Sequence, residues 1–124
     1  MNAKLVVTLP AADIDRARAW YADKLGLKPV ETLENGDTWY ESGGSRFLVY
    51  QSQFAGTNQA TAAGFEVDDF EAAMTELKGR GVRFEDYDFG DDFRTVDGVF
   101  TAPDGAKIAW FKDSEGNTLG VNES

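Results

Sequence analysis

The residues of this chain best suited to chemistry are aromatic and acidic. Trp39 and Trp110 sit in matching triplets, Thr38-Trp39-Tyr40 and Ala109-Trp110-Phe111. Glu85, Asp86, Asp88, Asp91 and Asp92 are interleaved with Tyr87, Phe89 and Phe93. Aromatic faces offer stacking area and attract cations, and carboxylates among them bias the choice toward a positively charged ligand. A bare charge run is more often a solvated loop; the interleaved aromatics set this one apart. Histidine and cysteine are both absent. The chain therefore lacks the commonest general base and transition-metal ligand, any Ser-His-Asp catalysis, any thiolate nucleophile and any disulfide. No metal and no cofactor is expected, the one alternative being a carboxylate-only calcium or magnesium site drawn from Glu41, Glu66 or Glu123.

The formal charge of −10 argues against nucleic acid, whose phosphates call for clustered Lys and Arg, and against an anionic membrane surface. A negative field instead steers cationic ligands or partners, or simply keeps the protein in solution. At 124 residues the expectation is a single domain over 1–124. No run approaches the roughly 20 apolar residues of a membrane span, and Met1 leads into a strand-like run without a signal-peptide pattern, so a cytoplasmic location is expected.

The elements that must position these residues can be read from periodicity. Lys4–Leu9 reads as a strand stopped by Pro10. Asp13 is the N-cap of a helix with Ile14, Ala17, Trp20, Tyr21 and Leu25 at helical spacing, closed by Gly26. Trp20 on that stripe is expected in the core. Lys28–Leu33, a turn at Asn35-Gly36, Asp37–Ser42, a turn at Gly43-Gly44 and Arg46–Ser52 supply three more strands. After a polar connector at 53–60 the plan repeats. Thr61–Val67 is a strand, Asp69 caps a helix carrying Phe70, Ala73, Met74 and Leu77, and Val82–Tyr87, Val99–Ala102, Lys107–Lys112 and Thr118–Val121 are strands. Asp13-Ile14 matches Asp69-Phe70 at an offset of 56, and Thr38-Trp39-Tyr40 matches Ala109-Trp110-Phe111 at 71. The second half thus carries an insertion, placed in the acidic stretch after Tyr87.

The segments Val7–Leu27, Gly64–Val82 and Ile108–Val121 together resemble the vicinal oxygen chelate superfamily, of the glyoxalase, bleomycin resistance protein and extradiol dioxygenase type. The turn Lys112-Asp113-Ser114-Glu115-Gly116-Asn117 resembles that family's aromatic-x-Asp-Pro-Asp-Gly-Asn turn, with serine at the proline place and Glu115 at the second aspartate. The resemblance implies an α+β fold of two βαβββ modules in tandem, about 1–52 and 61–124, with a curved sheet around a central cavity. It also implies ligand positions for a metal, which map here onto Val6, Leu48, Ala62 and Gly120, none of which can donate to a cation. Side chains alternate along strands, so the positions sharing parity with these should line the cavity: Thr8, Leu48, Tyr50 and Gly64. By the resemblance Ile108 and Trp110 join them, and by internal symmetry Trp39. Tyr40 and Phe111, of opposite parity, should pack under the helices.

In character the chain is closest to the metal-free bleomycin-resistance-like binders, which implies sequestration of a small cationic or aromatic molecule by a homodimer. A metal-free enzyme, with Glu41 or Glu66 as base and Thr8 or Tyr50 positioning the substrate, is the alternative from a different class. A structural or interaction module is a third.

Overall fold

The computed structural model describes residues 1–123 and contains two four-stranded sheets, each with one helix. The order is β1 (Val7–Ala11), α1 (Ile14–Leu25), β2 (Glu31–Thr32), β3 (Thr38–Ser42) and β4 (Ser45–Gln51), then β5 (Thr61–Val67), α2 (Phe70–Gly79), β6 (Val99–Thr101), β7 (Lys107–Lys112) and β8 (Thr118–Glu123). The strand orders, β1-β4-β3-β2 and β5-β8-β7-β6, are the same topology twice. Contacts group the chain into two compact units. The first is 1–59 with the Asp113–Asn117 turn; the second is 60–112 with the chain from Thr118 onward. No helix among the described residues is long and apolar enough to cross a membrane.

Both helices start as the sequence predicts. Asp13 and Asp69 are extended, and their carboxylates accept the backbone N–H of Arg16 and Ala72, each at 3.0 Å. Gly26 ends α1 in the left-handed conformation, φ 67°, which a side chain would resist. In the first unit α1 covers one face of its sheet with Ala17 and Tyr21. Leu9, Ala11, Tyr40, Phe47 and Val49 meet them there, all buried. Tyr21 lies 5.4 Å from Tyr40, and Tyr40 stacks on Phe47 at 5.2 Å. Such ring pairs add roughly 0.5–1.5 kcal/mol each beyond their burial. Phe70, Met74 and Leu77 do the same work in the second unit, against Ala109, Phe111, Leu119 and Val121. Tyr40 and Phe111 are thus on the helix-covered faces, 1% and 0% exposed. Trp20 differs from expectation: it is half-buried, edge-on to Tyr21 at 5.0 Å, because the sheet is met by the adjoining Tyr21 instead.

Three strand assignments need correction. The first strand begins at Val7 and runs through Pro10 to Ala11. Proline is tolerated because β1 is an edge strand and the Pro10 carbonyl points outward, to accept Asn117 Nδ2 at 2.9 Å, so no ladder donor is missing on the β4 side. Lys28–Leu33 shortens to Glu31–Thr32. Val82–Tyr87 is not a continuous strand: Phe84 forms a lone bridge to Phe111, and the Glu85 N–H donates to Trp110 O at 2.7 Å. The equivalent bond in the first unit runs from Val30 N to Trp39 O at 2.9 Å. The edge strand of the second sheet is therefore split, with Phe84-Glu85 on one stretch of β7 and β6 on the next, and the acidic insertion loops out between them.

The turn between β7 and β8 completes the first unit. Asp113 accepts the backbone N–H of Glu115 and Asn117 on one carboxylate oxygen, and the Tyr21 hydroxyl at 2.6 Å and Asn117 Nδ2 at 2.8 Å on the other. Burial first, then the Asp113 charge and hydrogen bond, push the Tyr21 hydroxyl well above its ordinary range, so it stays a donor. Glu115 receives Arg16 as a fork, Nε at 2.8 Å and Nη2 at 2.9 Å, plus the Asp13 N–H at 2.9 Å and the Ser114 hydroxyl at 2.7 Å. Gly116 passes so close to Gly56 that a Cβ there would stand 2.9 Å from the Gly56 Cα.

Burial pushes the Glu115 carboxyl up, but the hydrogen bonds from Arg16, Ser114 and Asp13 N and the Arg16 charge outweigh it and hold the group at about 2, below its usual 4.5. A depressed carboxylate pKa stabilises the fold above the unfolded value and ceases to do so as pH falls through the folded one. E115Q is expected to cost about 1–2 kcal/mol at neutral pH, since a charged pair of bonds becomes neutral. Its urea midpoint should also fall less than the wild type's between pH 4.5 and 2; parallel pH profiles would show that Glu115 does not carry this acid sensitivity.

Candidate functional site

The uncovered face of the first sheet is built from residues alternate to its core. The register aligns Thr8 with Leu48 and Leu48 with Trp39, and Trp39 with Glu31, so these four form one row across β1, β4, β3 and β2. Pro10 and Tyr50 are paired in the next row toward the end of β4, and Glu41 and Arg46 are paired on the other side. Thr8 is exposed, and Trp39, Leu48 and Tyr50 are half-buried. Val6 lies just before β1 and is exposed. The guanidinium of Arg46 lies over the Trp39 ring, Cζ 4.4 Å from its centroid, a favourable cation–π geometry. Arg46 shares strand parity with Leu48 and Tyr50, so the signal that singled out those two applies to it equally.

The second sheet carries the equivalent row, Gly64, Gly120 and Trp110, but a different surface. The insertion folds over Trp110. Tyr87 packs against it edge-on at 5.7 Å and Phe93 at 5.6 Å, with Phe100 stacked on Phe93 at 4.6 Å and 6.4 Å from the indole. Asp86 holds the insertion in shape by accepting Thr95 Oγ1 at 2.9 Å and Gly98 N–H at 2.8 Å. Phe89 stacks on Tyr87 and is 75% exposed. Asp88, lowered by the Gly90 N–H and by Arg94, pairs with Arg94 at 3.3 Å. The indole N–H of Trp110 donates to Thr61 Oγ1 at 3.1 Å. Simple alternation puts Ala62, not Thr61, on this face. A bulge between Thr61 and Ala63 sets Thr61 opposite Thr118, on the Trp110 side, and takes Ala62 out of register. Ile108 is half-buried opposite Phe100.

The residues present do not fit the metal that the family resemblance implies. Val6, Leu48, Ala62 and Gly120 have no donor side chain. At Gly120 a Cβ would lie 3.5 Å from Trp110 Cδ1, an ordinary van der Waals contact, so the indole stands directly beside this position. Glu66 pairs with Asn122 and Val67 with Glu123, which places Glu66 and Glu123 on opposite faces. Among the described residues no group of three or more Asp, Glu, His or Cys is arranged to hold a metal. The carboxylates that move from their usual values, Asp88 and Glu115, both move down, and both are tied to arginines.

The family model for the Glyoxalase/Bleomycin resistance protein/Dioxygenase superfamily matches residues 5–121, and the chain belongs to that superfamily. Among solved structures it is similar to a lactoylglutathione lyase from Agrobacterium tumefaciens (21% identity, TM-score 0.73, covering 100% of this chain and 95% of that one). It is also similar to a glyoxalase/bleomycin resistance protein from Catenulispora acidiphila (20%, 0.72, 99% of each chain). A third is an integron cassette protein from the mobile metagenome of V. cholerae (22%, 0.63, 99% and 97%). No curated protein matches. At these identities the structural likenesses establish the fold alone.

The two tryptophans should therefore respond differently to truncation. W110A removes the ring on which the insertion packs and should cost about 3–5 kcal/mol, whereas W39A, on an uncovered face, should cost about 1–2. Urea denaturation of both variants measures this, and equal losses would contradict the assignment.

Proposed function

We propose that the chain binds a small planar molecule on the uncovered face of its first sheet, stacked on Trp39, without a metal and without changing the ligand covalently. The observation that carries this reading is the row Leu48 and Trp39 with Tyr50 beside it and the exposed Thr8 at its end: aromatic and apolar side chains left half-exposed opposite a closed core. In the second sheet the pseudo-equivalent Trp110 already has protein partners on its ring and on its N–H. Superfamily membership does not choose between binding and catalysis, since the structural neighbours include a protein named as a lyase and one named as a glyoxalase/bleomycin resistance protein. The site favours binding. A metal-free enzyme needs a carboxylate poised to take a proton, whereas Asp88 is lowered by the Gly90 N–H and by Arg94, and Glu115 is held low by Arg16, Ser114 and the Asp13 N–H.

The test is a fluorescence titration with 1-aminoanthracene, a neutral planar probe, on protein treated with a chelator. Saturable binding of one probe per chain is expected, weakened about ten-fold or more by W39A or Y50A and unaffected by W110F, because loss of a stacking contact costs roughly 1–3 kcal/mol. The probe should be recovered unchanged. Binding abolished by chelator, or undiminished in W39A, would overturn the proposal.

A further inference from the structure

The Trp39 face already has an occupant, and that occupant is chemically specific. It is a guanidinium, planar and cationic, lying over the indole at 4.4 Å. Arg46 is lightly held: its charge partner Glu31 is 3.9 Å away, beyond hydrogen-bond range, and among the described residues its side chain makes no hydrogen bond. Glu41 is its cross-strand neighbour, so one carboxylate stands on β2 opposite the ring and another on the ring's own strand, two residues along. The contrast with Trp110 is instructive, because neutral rings cover that indole and its N–H is committed to Thr61. One of the two related tryptophans is thus built into the fold, and the other carries a removable cation between acidic side chains.

We infer that the Trp39 face is a site for a planar organic cation, with the chain's own Arg46 guanidinium as a resident competitor that such a ligand displaces. This rests on the Trp39 reading above and narrows its ligand class. A planar cation has what Arg46 has, a flat charged surface for the ring and a positive charge for Glu31 and Glu41, and more stacking area. Displaced into solvent, Arg46 loses little, since its side chain is already 37% exposed. The surplus of negative charge on the chain, −10 overall, brings the same class of molecule to the surface.

The experiment compares proflavine, a planar cation, with neutral 1-aminoanthracene on wild type, R46A and E31Q/E41Q. R46A should bind proflavine about five-fold tighter, the combined weight of a lost cation–π competitor and a lost like charge. E31Q/E41Q should weaken proflavine about three-fold, in a salt-sensitive way, and leave aminoanthracene unchanged. In wild type, the NMR cross-peak of the Arg46 Nε–Hε group, shifted by the indole beneath it, should move to its solvent-exposed position as proflavine saturates; this readout does not depend on any variant folding. Unchanged or weaker proflavine binding to R46A, or an Arg46 signal that stays put, overturns the inference even where aminoanthracene binds normally. Failure of both probes to bind any form overturns the Trp39 reading itself and this inference with it.

Discussion

The Glu115 carboxylate, buried and forked by Arg16, is the constraint on which the first unit depends. Burying an ionised carboxylate is tolerable only when its oxygens are satisfied, and Glu115 is satisfied by the start of α1 itself: the Asp13 N–H and the Arg16 guanidinium. The N-terminus of a helix is where unpaired N–H groups and the positive end of the dipole accumulate, so the negative charge and the helix end stabilise each other. The same turn presents Asp113 to Tyr21 one helical stripe further along, and Asn117 to the Pro10 carbonyl on the edge of β1. A five-residue turn distant in sequence thereby sets the start of α1, the ring at its centre and the edge of the strand before it. The row containing Trp39 lies on the opposite face of that same sheet, so its geometry rests on this anchor.

Internal repetition shows what the fold requires and what it leaves free. Both units keep an Asp cap, a parallel pair between first and last strands, and a backbone bond to the carbonyl of the central tryptophan. They differ in what covers that tryptophan. The short β2 edge leaves Trp39 to a guanidinium; the split edge in the second unit carries an insertion whose aromatics close over Trp110. The insertion is acidic, yet Asp86 is used internally to hold Thr95 and Gly98 and Asp88 pairs with Arg94, so charge and aromaticity serve separate ends there.

Much of the architecture was legible because it rests on local chemistry. Asp13 and Asp69 before apolar stripes, Gly26 after one, and the paired Trp triplets read correctly since caps and periodicity are set by near neighbours. What was not legible depends on pairing. Whether Pro10 ends a strand depends on which of its edges faces β4, and Ala62 yields its place to Thr61 through a bulge that alternation cannot reveal. The segment Val82–Tyr87 has strand-forming residues, but its length along β7 is cut by the insertion. Trp20 lost the core to the adjoining Tyr21, whose hydroxyl alone reaches Asp113. Arg46 escapes for another reason: it shares the parity of Leu48 and Tyr50, but a search for aromatic and apolar lining passes over a charged side chain.

The positions that the resemblance assigns to metal ligands follow the same division between local and paired information. That Val6, Leu48, Ala62 and Gly120 lack donors is visible residue by residue. That Trp110 lies against Gly120 is visible only once β7 and β8 are paired. The indole lies against the glycine, the insertion packs on the indole, and Thr61 accepts its N–H. Anything bound beside Gly120 would therefore meet an indole already packed by the insertion. The first unit has undergone no such closure. Leu48 is a half-buried apolar residue beside a tryptophan, and the chemistry open to that face is stacking and charge, which depend on the side chains alone.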